Sequence, residues 1–205
     1  MLFIILYTIL IPTIIISIIA LRNEEIFDKL KFNPSYIEAS KEWYRFFTYG
    51  IIHGDYLHLF INMYVLWSFG KIVVYDFTYF FGNYANLMFL ALYIPALGIS
   101  VIPSFIKHRE NIFYNAIGAS GAVSAVVYAS IILNPNAGLG FILIPISLPA
   151  WLFGTLYLVY TYFMSKNENT KIGHSSHLWG ALYGLLFMLI AEPKSYMYFF
   201  QQIFN

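Results

Sequence analysis

Residues 117–126 read IGASGAVSAV, and two physical explanations compete for the serine at position 120. In a lipid-facing helix a leucine would serve as well, so a run of small residues implies either close contact with another helix or chemistry. Close packing alone accounts for Gly118, Gly121, Ser124 and Ala125, because small side chains let two membrane helices approach. Whether Ser120 also reacts depends on what the rest of the chain brings to it.

The composition places that stretch in a membrane. Of 205 residues, 60% are hydrophobic, 20% aromatic and 10% charged, more apolar surface than a water-soluble core of this size could bury. With no cysteine, disulfides, thiolate metal sites and a cysteine nucleophile are excluded. A formal net charge of +1 provides no basic stripe for phosphates, so no nucleic-acid partner is expected.

A bilayer core of about 30 Å needs about 20 apolar helical residues. Six segments approach that length, at about 2–21, 49–70, 84–102, 115–133, 141–164 and 175–191. Their ends are read from Arg22, Gly70-Lys71, Pro103, Asn134-Pro135-Asn136 and the charged run from Lys166 to Lys171. The first segment has no basic leader and no small-residue cleavage site, so it reads as a span rather than a signal peptide. Segment 22–48 mixes Phe27, Trp43, Phe46 and Phe47 with charges and is expected to lie in the interface. The expected fold class is all-α: a polytopic membrane protein, one domain over 1–205, with six transmembrane helices and a long interfacial first loop.

Polar groups inside spans are costly and face the protein interior or a wet cavity. His53, His58 and Asn62 open the second segment, Ser120 the fourth and His177 the sixth. Even-numbered spans cross in the same direction, so these groups share one side and one depth. His58 and Asn62 stand about 40° apart around a helix and aim at one place, whereas His53, about 140° from His58, looks like support. Gly180, Ala181 and Gly184 lie on His177's own face. Two small stripes, on spans four and six, would bring His177 to Ser120, while His174 falls in the loop before span six.

A serine hydroxyl needs a base, and histidine is the usual one. No carboxylate lies inside the segments to complete a triad, so a Ser120–His177 dyad is expected, with His58, Asn62 and the Ser120 N–H as candidate donors to an oxyanion.

Together GASGAVSAV at 118–126, HGDYLHLFIN at 53–62 and HLWGALYG at 177–184 resemble the rhomboid family of intramembrane serine proteases. The resemblance implies Ser120 as nucleophile, His177 as general base, His58 and Asn62 lining the oxyanion hole, Gly118 shaping it and His53 bracing the loop above. It implies transmembrane segments of other proteins as substrates, entering along span five, and no metal or cofactor. It also implies an integral multi-pass protein in a cell membrane, here the inner membrane of a bacterium, with the site facing outward. The cation distribution alone, nine Lys and Arg on the site's side against Lys71 and Lys194, points the site inward.

Two positions depart from the family. Trp43-Tyr44-Arg45 stands where Trp-Arg is usual and reads as an interfacial anchor. Ser124 stands where an aromatic often stacks on the catalytic imidazole. Tyr157 and its neighbours read as span packing. Two alternatives remain: a catalytically silent relative that binds membrane clients, and a metal site built from His53, His58, His174 and His177.

Overall fold

The computed structural model describes residues 2–140, 147–166 and 173–204. The chain is mostly helical. α1 (Ile4–Ala20) buries Leu6, Leu10, Thr13, Ser17 and Ala20, a spacing of four and three that marks one face. Its opposite face carries exposed Ile4, Tyr7, Ile11, Ile15 and Ile19. An outward face that is as apolar as the inward one belongs against lipid rather than water.

The segment expected as an interfacial loop, 22–48, is built of three short helices: α2 (Glu24–Leu30), α3 (Pro34–Ser40) and α4 (Arg45–Thr48). Asn23 caps α2 by accepting from the Ile26 N–H at 3.0 Å, and Asn33 caps α3 by accepting from the Tyr36 N–H at 2.9 Å. Lys41 closes α3 in the left-handed conformation, φ 58°. Arg45, read from the sequence as an interfacial anchor, is buried. It donates to Asp28 O at 2.6 Å and Lys31 O at 2.9 Å, and its Nε reaches Glu42 Oε2 at 2.5 Å, so it ties the turns of this segment together. Trp43 beside it stays half-exposed.

α5 (Tyr56–Phe81) begins later and runs further than the expected 49–70. Asp55 caps it, accepting from the His58 N–H at 2.7 Å. Gly70 does not end the helix. A Cβ there would stand 2.7 Å from Leu6 Cδ1, so the residue is small because α1 crosses it closely. α6 (Ala85–His108) likewise passes through Pro95 and Pro103. Proline removes one helical hydrogen bond and orphans the carbonyl four residues back. For Pro95 that carbonyl is Ala91 O, and Tyr183 Oη donates to it at 2.8 Å.

α7 (Ser120–Leu133) starts five residues inside the expected span because Gly118 turns the chain at φ 98°. After it come β1 (Gly138–Gly140) and β2 (Ser147–Pro149), an antiparallel pair in the register Gly138↔Pro149. The fold is therefore not purely α. The first six residues of the expected span 141–164 lie outside the described residues, as does Lys171. The rest of that span is β2 followed by α8 (Ala150–Met164). α9 (His174–Ala191) matches the sixth segment, and α10 (Lys194–Phe204) folds back so that Tyr196 Oη donates to Leu185 O at 2.7 Å.

The most extensive packing joins α7 to α9 and α6 to α9, with α5 beside α7. Among the described residues one helical run, Tyr56–His108, is long and apolar enough to cross a membrane, whereas α1, α7 and α8 are apolar but shorter. At about 1.5 Å per residue, the 14 residues of α7 rise only about 21 Å. Helix length alone therefore does not carry the six-span count.

Candidate active site

The loop entering α7 is fixed from three directions before Ser120 is reached. Phe32 and Ala116 exchange backbone hydrogen bonds of 3.0 and 2.9 Å, and the Gly118 N–H donates to Tyr49 O at 2.9 Å. Asn33 Nδ2 donates to Ile112 O at 2.9 Å. Ser120, half-buried, is then the first residue of α7. The Val123 N–H bonds back to Ala119 O at 2.9 Å, which leaves the N–H groups of Ser120, Gly121 and Ala122 as the helix's unmatched donors. These donors and the positive end of the helix dipole favour negative charge beside the serine.

α9 lies against this turn. An ideal Cβ on Gly121 would stand 3.2 Å from Ser176 O, and one on Gly180 would collide with Gly121 O and stand 2.7 Å from Gly121 C. One turn further, a Cβ on Gly184 would meet Ala125 Cα at 2.8 Å. Backbone thus touches backbone along the two small-residue stripes, and His177, half-buried, sits in the first turn of α9 at this contact. Among the described residues Ser120 Oγ and His177 are not hydrogen bonded to each other. Such bonds are often long in a site without substrate and tighten only in the complex. His177 Nδ1 is occupied by Tyr157 Oη of α8 at 3.0 Å, which leaves Nε2 as the ring's remaining nitrogen.

His58, in the first turn of α5, accepts the Gly54 N–H on Nδ1 at 3.4 Å. Its proton therefore belongs on Nε2, a donor. That nitrogen would be 2.8 Å from a Cβ on Gly118, so the imidazole occupies the space a side chain at Gly118 would take. Asn62 lies one turn on, buried, and its Nδ2 donates to its own helix at His58 O, 3.0 Å away. One of its two N–H groups is thereby committed to the backbone.

His53 is fully buried in the connection before α5, edge-to-face with His58 at 5.0 Å. Its Nε2 accepts the Ala119 N–H at 3.5 Å, and its Nδ1 lies 3.2 Å from Ser17 Oγ on α1. Both nitrogens are thus used within the protein, one on the residue immediately before Ser120.

His174 is not a loop residue. Gly173 O accepts the His177 N–H at 3.1 Å, so the helix starts at His174, which is buried against Tyr160 at 5.5 Å and His177 at 6.1 Å between ring centres. Among the described residues its Nδ1 has no hydrogen-bond partner, and no three His, Asp or Glu side chains are placed to share a metal ion.

The residue that sequence reading passed over is Tyr157. Its ring plane lies 29° from that of the His177 imidazole with centres 6.4 Å apart, so the phenol meets His177 through its hydroxyl end. Ser124, one turn after Ser120, offers no aromatic ring there. No signal in the sequence singled out Tyr157, because its contact with His177 is made by the hydroxyl and not by a ring that replaces the missing aromatic.

The rhomboid domain model matches residues 40–194. Over 147 residues the chain is 29% identical to presenilin-associated rhomboid-like protein A, mitochondrial, of Danio rerio, covering 66% of this chain and 34% of that protein. It is 28% identical over 142 residues to the presenilin-associated rhomboid-like protein, mitochondrial, of Homo sapiens and of Mus musculus, covering 66% of this chain and 35% of each. The chain thus spans about a third of the length of these curated relatives. The resemblance read from the three motifs holds: with a family match over well more than half its length, this membrane protein belongs to the rhomboid family.

Proposed function

We propose that the chain is an intramembrane serine endopeptidase that forms one six-span domain and cleaves transmembrane segments of other membrane proteins. The observation that carries this is the backbone contact between Gly121 and Gly180, which seats the first turn of α9, bearing His177, on the turn that opens with Ser120. His177 Nε2 takes the Ser120 hydroxyl proton as Oγ attacks the scissile carbonyl carbon. The Ser120 N–H and His58 Nε2–H donate to the oxyanion that forms, with the remaining Asn62 N–H as a third donor. His177 then returns the proton to the departing amine, leaving an acyl group on Ser120. A water activated by the same imidazole hydrolyses it. Gly118 keeps the space for His58, and His53 braces the loop. No cofactor takes part.

A second reading, a silent relative that binds membrane clients, draws on the Ser120 hydroxyl that accepts and donates no hydrogen bond among the described residues and on the amide of Asn62 turned to its own helix. The relatives' names place those proteins in mitochondria, which gives the bacterial inner membrane expected from the sequence no support. Membrane residence itself rests on the family.

Purified protein in liposomes, offered a single-pass substrate and separately a fluorophosphonate probe, separates the two readings. The protease cleaves and is labelled at Ser120, and Ser120→Ala and His177→Ala each abolish cleavage while staying folded. Undiminished cleavage in either variant, or a folded wild type that is neither labelled nor active, removes the protease assignment.

A further inference from the structure

We propose that Tyr157 is the positioning residue of the dyad: its hydroxyl accepts the Nδ1–H of His177 and so holds the imidazole in the tautomer whose Nε2 lone pair faces Ser120. This rests on the dyad assignment above.

One side chain reaches the ring through its hydroxyl end. The hydroxyl lies 3.0 Å from Nδ1, and the two ring planes lie 29° apart with centres separated by 6.4 Å. The hydrogen bond selects the tautomer and ties one corner of the imidazole to α8. No carboxylate among the described residues bonds to this Nδ1, so the phenol occupies the place a triad's acid would hold. A phenol differs from a carboxylate in carrying no charge: it orients the base and offers a lone pair to the imidazolium's Nδ1–H, without a full negative charge to stabilise it.

Tyr157 is itself held. Phe153 stacks on it with the rings 9° from parallel, and one turn earlier Gly154 O accepts a 2.6 Å hydrogen bond from Tyr128 Oη of α7. A Cβ on Gly154 would stand 2.7 Å from Ile131 Cδ1, so α8 is pressed against α7 at that point. The serine on α7 is thus registered to the histidine on α9 by backbone contact, and to α8, which bears the tyrosine, by α7 side chains pressed on the backbone at Gly154. The position of α8 is thereby coupled to the basicity of the site: moving α8 away from α9 releases Nδ1.

Tyr157→Phe tests this because it keeps the ring and deletes the acceptor. A hydrogen bond to a charging group is worth ~1.5–3 kcal/mol, or about 10- to 150-fold in rate. The expected result is a fall of that size in kcat, with KM within about twofold and thermal stability close to wild type. Tyr157→Leu, which also removes the aromatic ring beside the imidazole, falls further. Nitrogen-15 NMR of the folded full chain in bilayers gives a readout independent of turnover. In wild type, neutral His177 carries its proton on Nδ1, and in Tyr157→Phe the Nε2–H tautomer appears. A wild-type His177 protonated on Nε2, a spectrum unchanged by Tyr157→Phe, or an unchanged kcat overturns the proposal. If wild type neither cleaves nor takes up the fluorophosphonate, the protease assignment falls, while the NMR still decides the tautomer.

Discussion

Replacing Gly180 with alanine adds a single methyl group where α9 crosses α7. An ideal Cβ there would overlap Gly121 O and stand 2.7 Å from Gly121 C and 3.0 Å from Gly121 Cα, against ordinary contacts of 3.4–4 Å. All three obstacles are backbone, so no side chain can rotate away. Restoring ordinary contact separates the helices by about 1 Å at the site, and a misplacement of that size costs on the order of 10²-fold in rate. Overpacking costs ~1–3 kcal/mol, and the helix preference for alanine over glycine offsets ~0.5–1 of it, which leaves a net destabilisation of ~0–2.5 kcal/mol. Gly98→Ala is the matched control. It lies in α6, and its Cβ would meet the Phe47 ring at 3.7 Å, an ordinary contact, so it is expected to be neutral or stabilising. Cleavage rate in liposomes and unfolding in mixed micelles are measured for both variants. If Gly180→Ala matches wild type in both, or if Gly98→Ala is the more harmful, the close contact of α7 with α9 is not what aligns Ser120 and His177.

Gly118→Ala combines a left-handed φ of 98° with a Cβ 2.7 Å from His58 Cε1; it should displace His58 and lower kcat by at least tenfold, and a variant with wild-type kcat refutes the packing of His58 on Gly118. Tyr183→Phe leaves Ala91 O, already orphaned by Pro95, without its 2.8 Å donor; unfolding should become easier by ~1–3 kcal/mol, and Pro95→Ala, which restores a helical N–H, should reduce that loss. The Arg45 hydrogen bond, followed by weaker help from Tyr44 and Lys29, holds the Glu42 carboxyl below its ordinary value of 4.5 despite some opposing desolvation. A lowered carboxylate contributes stability above its unfolded value and loses it as pH falls through the folded one. Limited proteolysis of segment 22–48 should therefore stay flat from about pH 7 to 5 and accelerate below about 4.5, whereas Glu42→Gln should be cleaved readily at neutral pH.

What the sequence disclosed best was the set of polar residues at the openings of α5, α7 and α9, because a bilayer penalises them enough that their positions are informative. The small stripes around Gly121 and Gly180 were legible for a related reason: nothing but close approach calls for so many missing side chains. Helix ends were read poorly where one residue type serves two purposes. Gly70 and Pro103 look like stops, yet the first makes room for Leu6 and the second sits inside α6. Gly118, three residues inside the expected fourth span, shortened it by its left-handed turn, and no periodicity announces such a turn. Arg45 looked like an anchor because, besides Glu42, its partners are carbonyls at 28 and 31, which every residue possesses. Tyr157 was hidden among aromatics of α8 because only the crossing of two helices distinguishes the one that meets His177.

His53 uses one nitrogen on the residue before the serine and the other on Ser17 of α1. The family match begins at residue 40, so the boundary drawn by sequence similarity cuts this connection. A version of the chain trimmed to the matched region would expose a buried imidazole's unpaired nitrogen two contacts away from Ser120. The region matched by the family and the region on which the site depends are different sets, and α1 lies outside the first while belonging to the second.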